Sequence, residues 1–112
     1  MRIAIPISGD QLEQHFGHCE KFALFDFDPE TKNVVASGET AAPEHQPGLL
    51  PPWLKERGVT HVIAGNMGTR ARTLLQEASV EVVIGAPVET ADTIVQQYLN
   101  GTLETTEPTC HH

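Results

Sequence analysis

The second half of the chain alternates short apolar runs with amphipathic segments, and this alternation constrains the fold more than any other feature. The runs at 61–64 and 80–84 are typical of buried strands. The segments 69–78 and 88–99 carry the i, i+3, i+4 apolar spacing of helices. Strand–helix–strand units connect through right-handed crossovers into a parallel sheet. The sequence therefore predicts an α/β domain.

The first half of the chain predicts three more strands and one more helix. The predicted strands are 3–7, 21–27 and 34–38. Turn-forming residues at 28–33 join the second and third strands into a hairpin, so we expect a mixed sheet. Residues 11–19 are predicted to form a loop after the first strand. A second loop, with four prolines, leads to a helix at about 49–57. The expected order is β-β-β-α-β-α-β-α.

Length and charge limit the classes of protein that this chain can represent. Its 112 residues suffice for one domain, predicted at residues 1–101, followed by a flexible polar tail at 102–112. The net charge of −8 argues against nucleic-acid binding. No apolar run approaches the ~20 residues of a membrane span, and the N-terminus lacks a signal-peptide pattern. We therefore expect a cytoplasmic protein that contacts no membrane and keeps its two cysteines as thiols.

Imidazole and thiol groups are concentrated in the loop after the first strand and at the end of the chain. These side chains suit borderline and soft transition metals. An extended tail of this length spans ~35 Å, so its last residues can reach the loop. The candidate metal ligands are His15, His18, Cys19, Cys110 and His112.

A glycine turn, Gly65-Asn66-Met67-Gly68, follows the fourth strand. Ligands of open α/β sheets bind at the carboxyl ends of the strands, so this turn faces the histidine loop if the first and fourth strands are neighbours. Glycine allows backbone N–H groups to approach a ligand, and the following helix N-terminus favours an anion. Arg70 and Arg72 add local positive charge.

Each of these residues also has a purely structural interpretation. Cys19 suits a small buried side chain, and His15 suits a hydrogen bond to loop backbone. The glycine turn suits a tight strand-to-helix connection without a ligand, with Met67 as a packing residue. The sequence shows no Ser/His/Asp arrangement, no P-loop and no carboxylates gathered at strand ends, so no enzyme is predicted.

Over almost its whole length the chain resembles the dinitrogenase iron–molybdenum cofactor biosynthesis family. The resemblance is carried by the strand 3–7, His15-Phe16-Gly17 followed by Phe22, the glycine turn with Ala71 and Leu74-Leu75, and Cys110-x-His112. The chain departs from the family at Asn66 or Met67, where a more apolar residue is usual, and at Ser79, where a glycine is usual.

The resemblance implies a ribonuclease-H-like three-layer fold with three helices. Its five-stranded mixed sheet has the order 3-2-1-4-5, with strand 2 antiparallel. Family members include carriers of iron–molybdenum cofactor or its precursors, and a small protein that holds a molybdenum–copper sulfide cluster. The resemblance thus implies a non-enzymatic binding protein for an iron–molybdenum or related metal–sulfur cluster, working with a cofactor-assembly or acceptor protein. It supports cluster binding more strongly than a role in nitrogenase assembly.

The first hypothesis is a carrier whose cluster contacts both loops. Its predicted cofactor-binding residues are His15, Gly17, His18, Cys19, Gly65, Asn66, Met67, Gly68 and Arg70. A second hypothesis is a mononuclear zinc or iron site, used for sensing or delivery, with His15, His18, Cys19 and one tail residue as ligands. A third is a metal-free interaction module. An enzyme acting on a phosphorylated substrate is weaker, because it depends on the glycine turn alone.

Overall fold

The computed structural model describes residues 1–16, 19–43 and 49–105. Strands and helices follow one another there in the predicted manner, with one strand more than predicted. The strands are β1 (Arg2–Ser8), β2 (Gln11–Leu12), β3 (Lys21–Asp28), β4 (Asn33–Ala41), β5 (His61–Ile63) and β6 (Glu81–Val83). The helices are α1 (Leu50–Glu56), α2 (Thr69–Glu77) and α3 (Ala91–Asn100).

The sheet is mixed, and its strands lie in the order β4-β3-β1-β5-β6. The central strand β1 pairs parallel with β5 and antiparallel with β3, while β5 pairs parallel with β6. The predicted α/β class is confirmed, and without the short β2 the observed order reads 3-2-1-4-5. The first and fourth predicted strands are therefore neighbours, as the site hypothesis requires.

Helices cover both faces of the sheet, which gives three layers with a core on each side. Because side chains alternate along β1, Ile3, Ile5 and Ile7 pack with α3, whereas Ala4 packs on the opposite side. The opposite core contains Leu54 of α1, Leu75 of α2 and the fully buried Phe22. We refer to these two regions as the α3-side core and the α1/α2-side core.

The prediction that residues 11–19 form a loop is wrong at its beginning. Gln11 and Leu12 form β2, which pairs antiparallel with Ser8 and Ile7 of β1. Leu12 also donates from its backbone nitrogen to the carbonyl of Glu89, at 2.9 Å. Two residues are too few to show a periodic pattern, so this strand depends on partners that are remote in the sequence.

The third helix begins at Ala91, three residues later than predicted. The Glu89 carbonyl is bonded to β2, and Thr90 caps the helix by accepting from the backbone nitrogen of Thr93 at 3.3 Å. The helix ends at Asn100 and is followed by Gly101, a C-cap glycine with φ 77°. The strand predicted at 34–38 extends to Ala41, because the hairpin with β3 continues to the pair Lys21–Ala41.

After α3 the chain reverses direction. The backbone nitrogens of Thr102 and Leu103 both donate to the carbonyl of Gln97, and Leu103 packs against the α3-side core. Packing therefore continues past the predicted domain boundary at residue 101. The chain then runs back towards Pro87, with which Thr105 lines one cleft. Within the described ranges, no helix combines the length and apolar character needed to cross a bilayer.

Candidate functional site

The histidine loop and the glycine turn are joined by backbone hydrogen bonds at the carboxyl ends of β1 and β5. His15 and Asn66 form an isolated parallel bridge. The nitrogen of Phe16 donates to the Asn66 carbonyl at 3.2 Å, and the nitrogen of Asn66 donates to the Gln14 carbonyl at 2.9 Å. The prediction that these two loops face each other is confirmed, and the loops form one continuous surface.

A third segment, the residues after β6, belongs to the same end of the sheet. Gly85 donates from its nitrogen to the Gly65 carbonyl at 2.8 Å, and the carbonyl of Glu89 accepts from Leu12. The sequence interpretation left this segment out. Its turn residues follow a parallel strand, and the strand-end rule could have assigned it to this edge.

Gly65 is required by the contact between the two loops. A Cβ atom at this position would lie 3.3 Å from the Cα of Gln14 and 3.3 Å from the Cδ2 of Leu12. These distances are shorter than ordinary van der Waals contact, and one of the neighbours is backbone. The role that the structure gives to this glycine is thus close packing of chain against chain.

Gly68 differs from Gly65, because a Cβ added there would meet no atom within 4 Å. It is the N-cap residue of α2, with φ −65° and ψ 152°, and among the described residues no side chain caps the helix. The first turn of a helix has unpaired N–H groups and positive potential. Arg70 in this turn is exposed, whereas Met67 packs its side chain into the α1/α2-side core.

His15 is exposed on a loop that is fixed on both sides. The following residue, Phe16, is buried, and its ring meets that of Phe22 edge-on at 5.9 Å between centroids. On the N-terminal side of His15, the Glu13 carboxylate accepts hydrogen bonds from the Ser8 hydroxyl at 2.9 Å and from the backbone nitrogen of His15 at 3.2 Å. The backbone of His15 is therefore held in place between the buried Phe16 and the Glu13 carboxylate.

Cys19 is half-buried and packs against the α1/α2-side core. Burial raises the pKa of its thiol to about 11, and the nearby carboxylate of Glu13 raises this pKa further. A hydrogen bond to backbone opposes both effects without cancelling them. Cys19 is thus protonated at neutral pH, and as a metal ligand it must first lose a proton.

We expect Cys19 to be alkylated at least about tenfold more slowly in the native protein than in urea at pH 8, because only the thiolate reacts. The measurement is iodoacetamide labelling followed by mass spectrometry, in a Cys110→Ser background so that one thiol is counted. The native rate should keep rising with pH up to about 11, where the thiol ionises. Equal native and unfolded rates would contradict the raised pKa.

Four of the predicted site residues fall outside the described part of the chain. They are Gly17, His18, Cys110 and His112. In ranges 1–16, 19–43 and 49–105, no three His, Cys, Asp or Glu side chains are grouped so as to hold a metal ion. The predicted ligand sets therefore stay predictions.

Comparisons with known proteins agree with this architecture. The sequence model of the family described as "Dinitrogenase iron-molybdenum cofactor" matches residues 1–101. An uncharacterised protein of Methanocaldococcus jannaschii is 32% identical over 107 residues, which cover 93% of this chain and 90% of that protein.

Solved structures show the same fold. The crystal structure of PH0822 has a TM-score of 0.88 at 24% identity, with 96% of each chain covered. The apo form of the orange protein from Desulfovibrio gigas has a TM-score of 0.74 at 23% identity, with 93% of this chain and 91% of that chain covered. At such identities these two likenesses establish the fold alone.

Proposed function

The chain belongs to the dinitrogenase iron–molybdenum cofactor family, and from this premise we propose that it is a non-enzymatic carrier of an anionic metal–sulfur cluster. The cluster is cargo, bound in cofactor assembly or delivery and then passed to an acceptor protein. The observation that carries the proposal is the direct pairing of His15 with Asn66, beside the start of α2, which no side chain of the described residues caps. This pairing supports the proposal because the exposed His15 and the first turn of α2, the proposed anion-binding group, then lie at the same end of the sheet.

The charge of the cargo is compensated locally in this proposal. Backbone N–H groups at Gly68 and in the first turn of α2 donate to the sulfides of the cluster, and the helix dipole adds to the attraction. Arg70 supplies a full positive charge from the same turn. These groups matter because the net charge of −8 repels an anion at long range.

His15 is the proposed metal ligand that the structure supports best, since it is exposed and its loop is anchored. Cys19 is a second proposed ligand, and its ligation would release a proton because its pKa is about 11. Met67 would take part through its backbone nitrogen, and Gly65 and Asn66 by holding the two loops together. Gly17 and His18 remain proposed contacts on the basis of the sequence.

The tail can complete the site from the same end of the sheet. Thr105 lines a cleft with Pro87 and Glu89, and Glu89 is bonded to β2 at the start of the histidine loop. Cys110 lies five positions after Thr105, and an extended segment of five residues spans ~17 Å. We therefore keep Cys110 and His112 as proposed ligands.

The test is anaerobic titration of the metal-free protein with tetrathiomolybdate and copper(I), followed by visible absorption. We expect saturable binding in the micromolar range, reduced at least about tenfold by His15→Asn, which removes a metal ligand. Arg70→Gln should weaken binding severalfold, whereas the matched control Lys55→Gln, which changes an exposed cation of α1, should leave it unchanged.

The pH dependence reports on Cys19 separately. If ligation displaces its proton, affinity rises about tenfold for each pH unit below 11, and Cys19→Ser removes this slope. Lack of binding at micromolar concentrations, or full binding in His15→Asn, would exclude the proposal. A bound mononuclear zinc or iron without sulfide bridges, identified by X-ray absorption, would replace it with the sensor or delivery hypothesis.

A further inference from the structure

One edge of the sheet is a long and exposed strand. β4 lies at the end of the strand order, and seven of its nine residues are exposed. Its pairing with β3 is regular from Ala36 to Ala41. The register shifts once, between Val34 and Ala36, near the start of the strand. The outward N–H and C=O groups of such an edge can pair with a further strand.

From Ala36 to Ala41, β4 lacks the features that usually protect an edge strand. Proteins commonly shorten their edge strands or place proline, lysine or a bulge in them. The irregularity of β4 is confined to Val35, next to the turn with β3, and the stretch from Ala36 to Ala41 contains no proline or lysine. Its single charge, Glu39, is bound to Lys21 at 2.7 Å. The opposite edge of the sheet is protected because its strand, β6, is only three residues long.

Two clefts flank the middle of β4, one on each face of the sheet. Both are bordered by Ser37 and Gly38, and a Cβ added at Gly38 would meet no atom within 4 Å. The cleft on the α3 side has a volume of about 320 Å³, and the opposite cleft about 230 Å³. Successive side chains of a strand added to β4 would point alternately to these two faces.

The clefts differ in chemistry. The α3-side cleft has the apolar side chains of Ala23 and Phe25 in its lining, together with the carboxylates of Asp10, Glu39 and Asp92. Lys21 compensates only one of these carboxylates. This combination suits a lysine or arginine side chain, whose stem is apolar and whose head is cationic.

The opposite cleft suits an uncharged side chain. Its charged members, Arg2 and Asp26, bind each other at 2.6 Å, and Leu24 and Ala36 provide apolar surface. An added strand would therefore place basic residues on the α3 side and small aliphatic residues on the other side. A second copy of this chain fits less well, because each copy carries a net charge of −8.

We propose that β4 is a docking edge for an extended basic segment of a partner protein, which adds to the sheet as an antiparallel or parallel strand with alternating basic and aliphatic residues. Backbone hydrogen bonds to β4 would provide the attachment, and the two clefts would provide selectivity. This surface is independent of the cluster site, because none of the proposed cluster-binding residues lines either cleft.

The test uses a fluorescein-labelled heptapeptide of alternating lysine and valine as the probe, with a glutamate–valine peptide as its matched control. We expect the lysine peptide to bind with a Kd on the order of 100 µM at low salt, more weakly at high salt, and to slow amide exchange in β4. The glutamate peptide should bind at least about tenfold more weakly.

Variants locate the binding to β4. Ser37→Lys places a like charge between the clefts, and Asp10→Asn with Asp92→Asn removes two carboxylates; each change should weaken binding about tenfold. Glu81→Gln removes a carboxylate from the opposite edge and should change nothing. Thermal unfolding of each variant confirms that it is folded.

Four results would overturn the proposal. They are equal binding of the two peptides, unchanged binding in Ser37→Lys, exchange protection in β6 instead of β4, and self-association of the chain in sedimentation that Ser37→Lys abolishes. The last result would assign the edge to a second copy of the chain.

Discussion

Replacing Phe22 with alanine is expected to lower the free energy of unfolding by about 3–5 kcal/mol. The side chain is fully buried and lies between Phe16 and Trp53, with ring centroids 5.9 and 5.6 Å away. Its removal leaves a cavity that these two rings fill only in part. Urea unfolding measures the loss as a lower midpoint with an unchanged m-value.

The matched control for this variant is Val35→Ala. Val35 is apolar but 69% exposed on β4, so its truncation should change the free energy of unfolding by less than about 0.5 kcal/mol. A loss below about 1 kcal/mol for Phe22→Ala would contradict the packing described for the α1/α2-side core. Since Phe16 directly follows His15, the same variant should also loosen the histidine loop, which increased amide exchange at residues 13–16 would detect.

Gly65→Val is expected to lower the free energy of unfolding by about 2–3 kcal/mol. The new side chain would collide with the backbone of Gln14 and with Leu12, and only separation of the two loops relieves the collision. The hydrogen bonds that join Asn66 to Gln14 and Phe16 would then lengthen or break. Denaturant unfolding gives the stability, and the amide exchange of Phe16 and Asn66 reports on the junction.

Gly68→Ser is the matched variant at the other glycine of the turn. The added Cβ atom meets no atom within 4 Å, and serine is a favourable N-cap residue. The free energy of unfolding should therefore rise by a few tenths of a kcal/mol. The serine oxygen would accept from the first-turn amides that we propose as cluster donors. The variant should therefore be as stable as the natural chain or more so, yet bind thiomolybdate more weakly. If Gly68→Ser destabilised the protein and Gly65→Val did not, the roles assigned to the two glycines would be wrong.

The long elements of the fold were predictable because their patterns are local. Alternation in β3 and helical spacing in α2 reflect burial on one face, which the sequence displays directly. The elements that were missed or misplaced depend on remote partners. β2 is formed by its pairing with β1 and its hydrogen bond to Glu89. α3 starts late because Glu89 and Thr90 are both held against β2.

The candidate site was predictable in its location and less so in its details. The strand-end rule placed the histidine loop and the glycine turn together, and the sheet order confirmed this. The sequence did not distinguish Gly65, which permits contact between loops, from Gly68, which borders open space. It also left open the state of Cys19, whose raised pKa follows from burial by residues distant in the chain.

By itself the sequence determined the fold class, the family, and the ligand-bearing residues that the chain offers. Periodic burial and residue chemistry are properties of short segments, so they can be read without coordinates. Only the tertiary structure decided which groups meet: His15 beside Asn66, the start of α2 beside them, and an exposed β4 at the edge of the sheet. Distances, desolvation and exposure depend on contacts between remote segments, and a local pattern does not specify them.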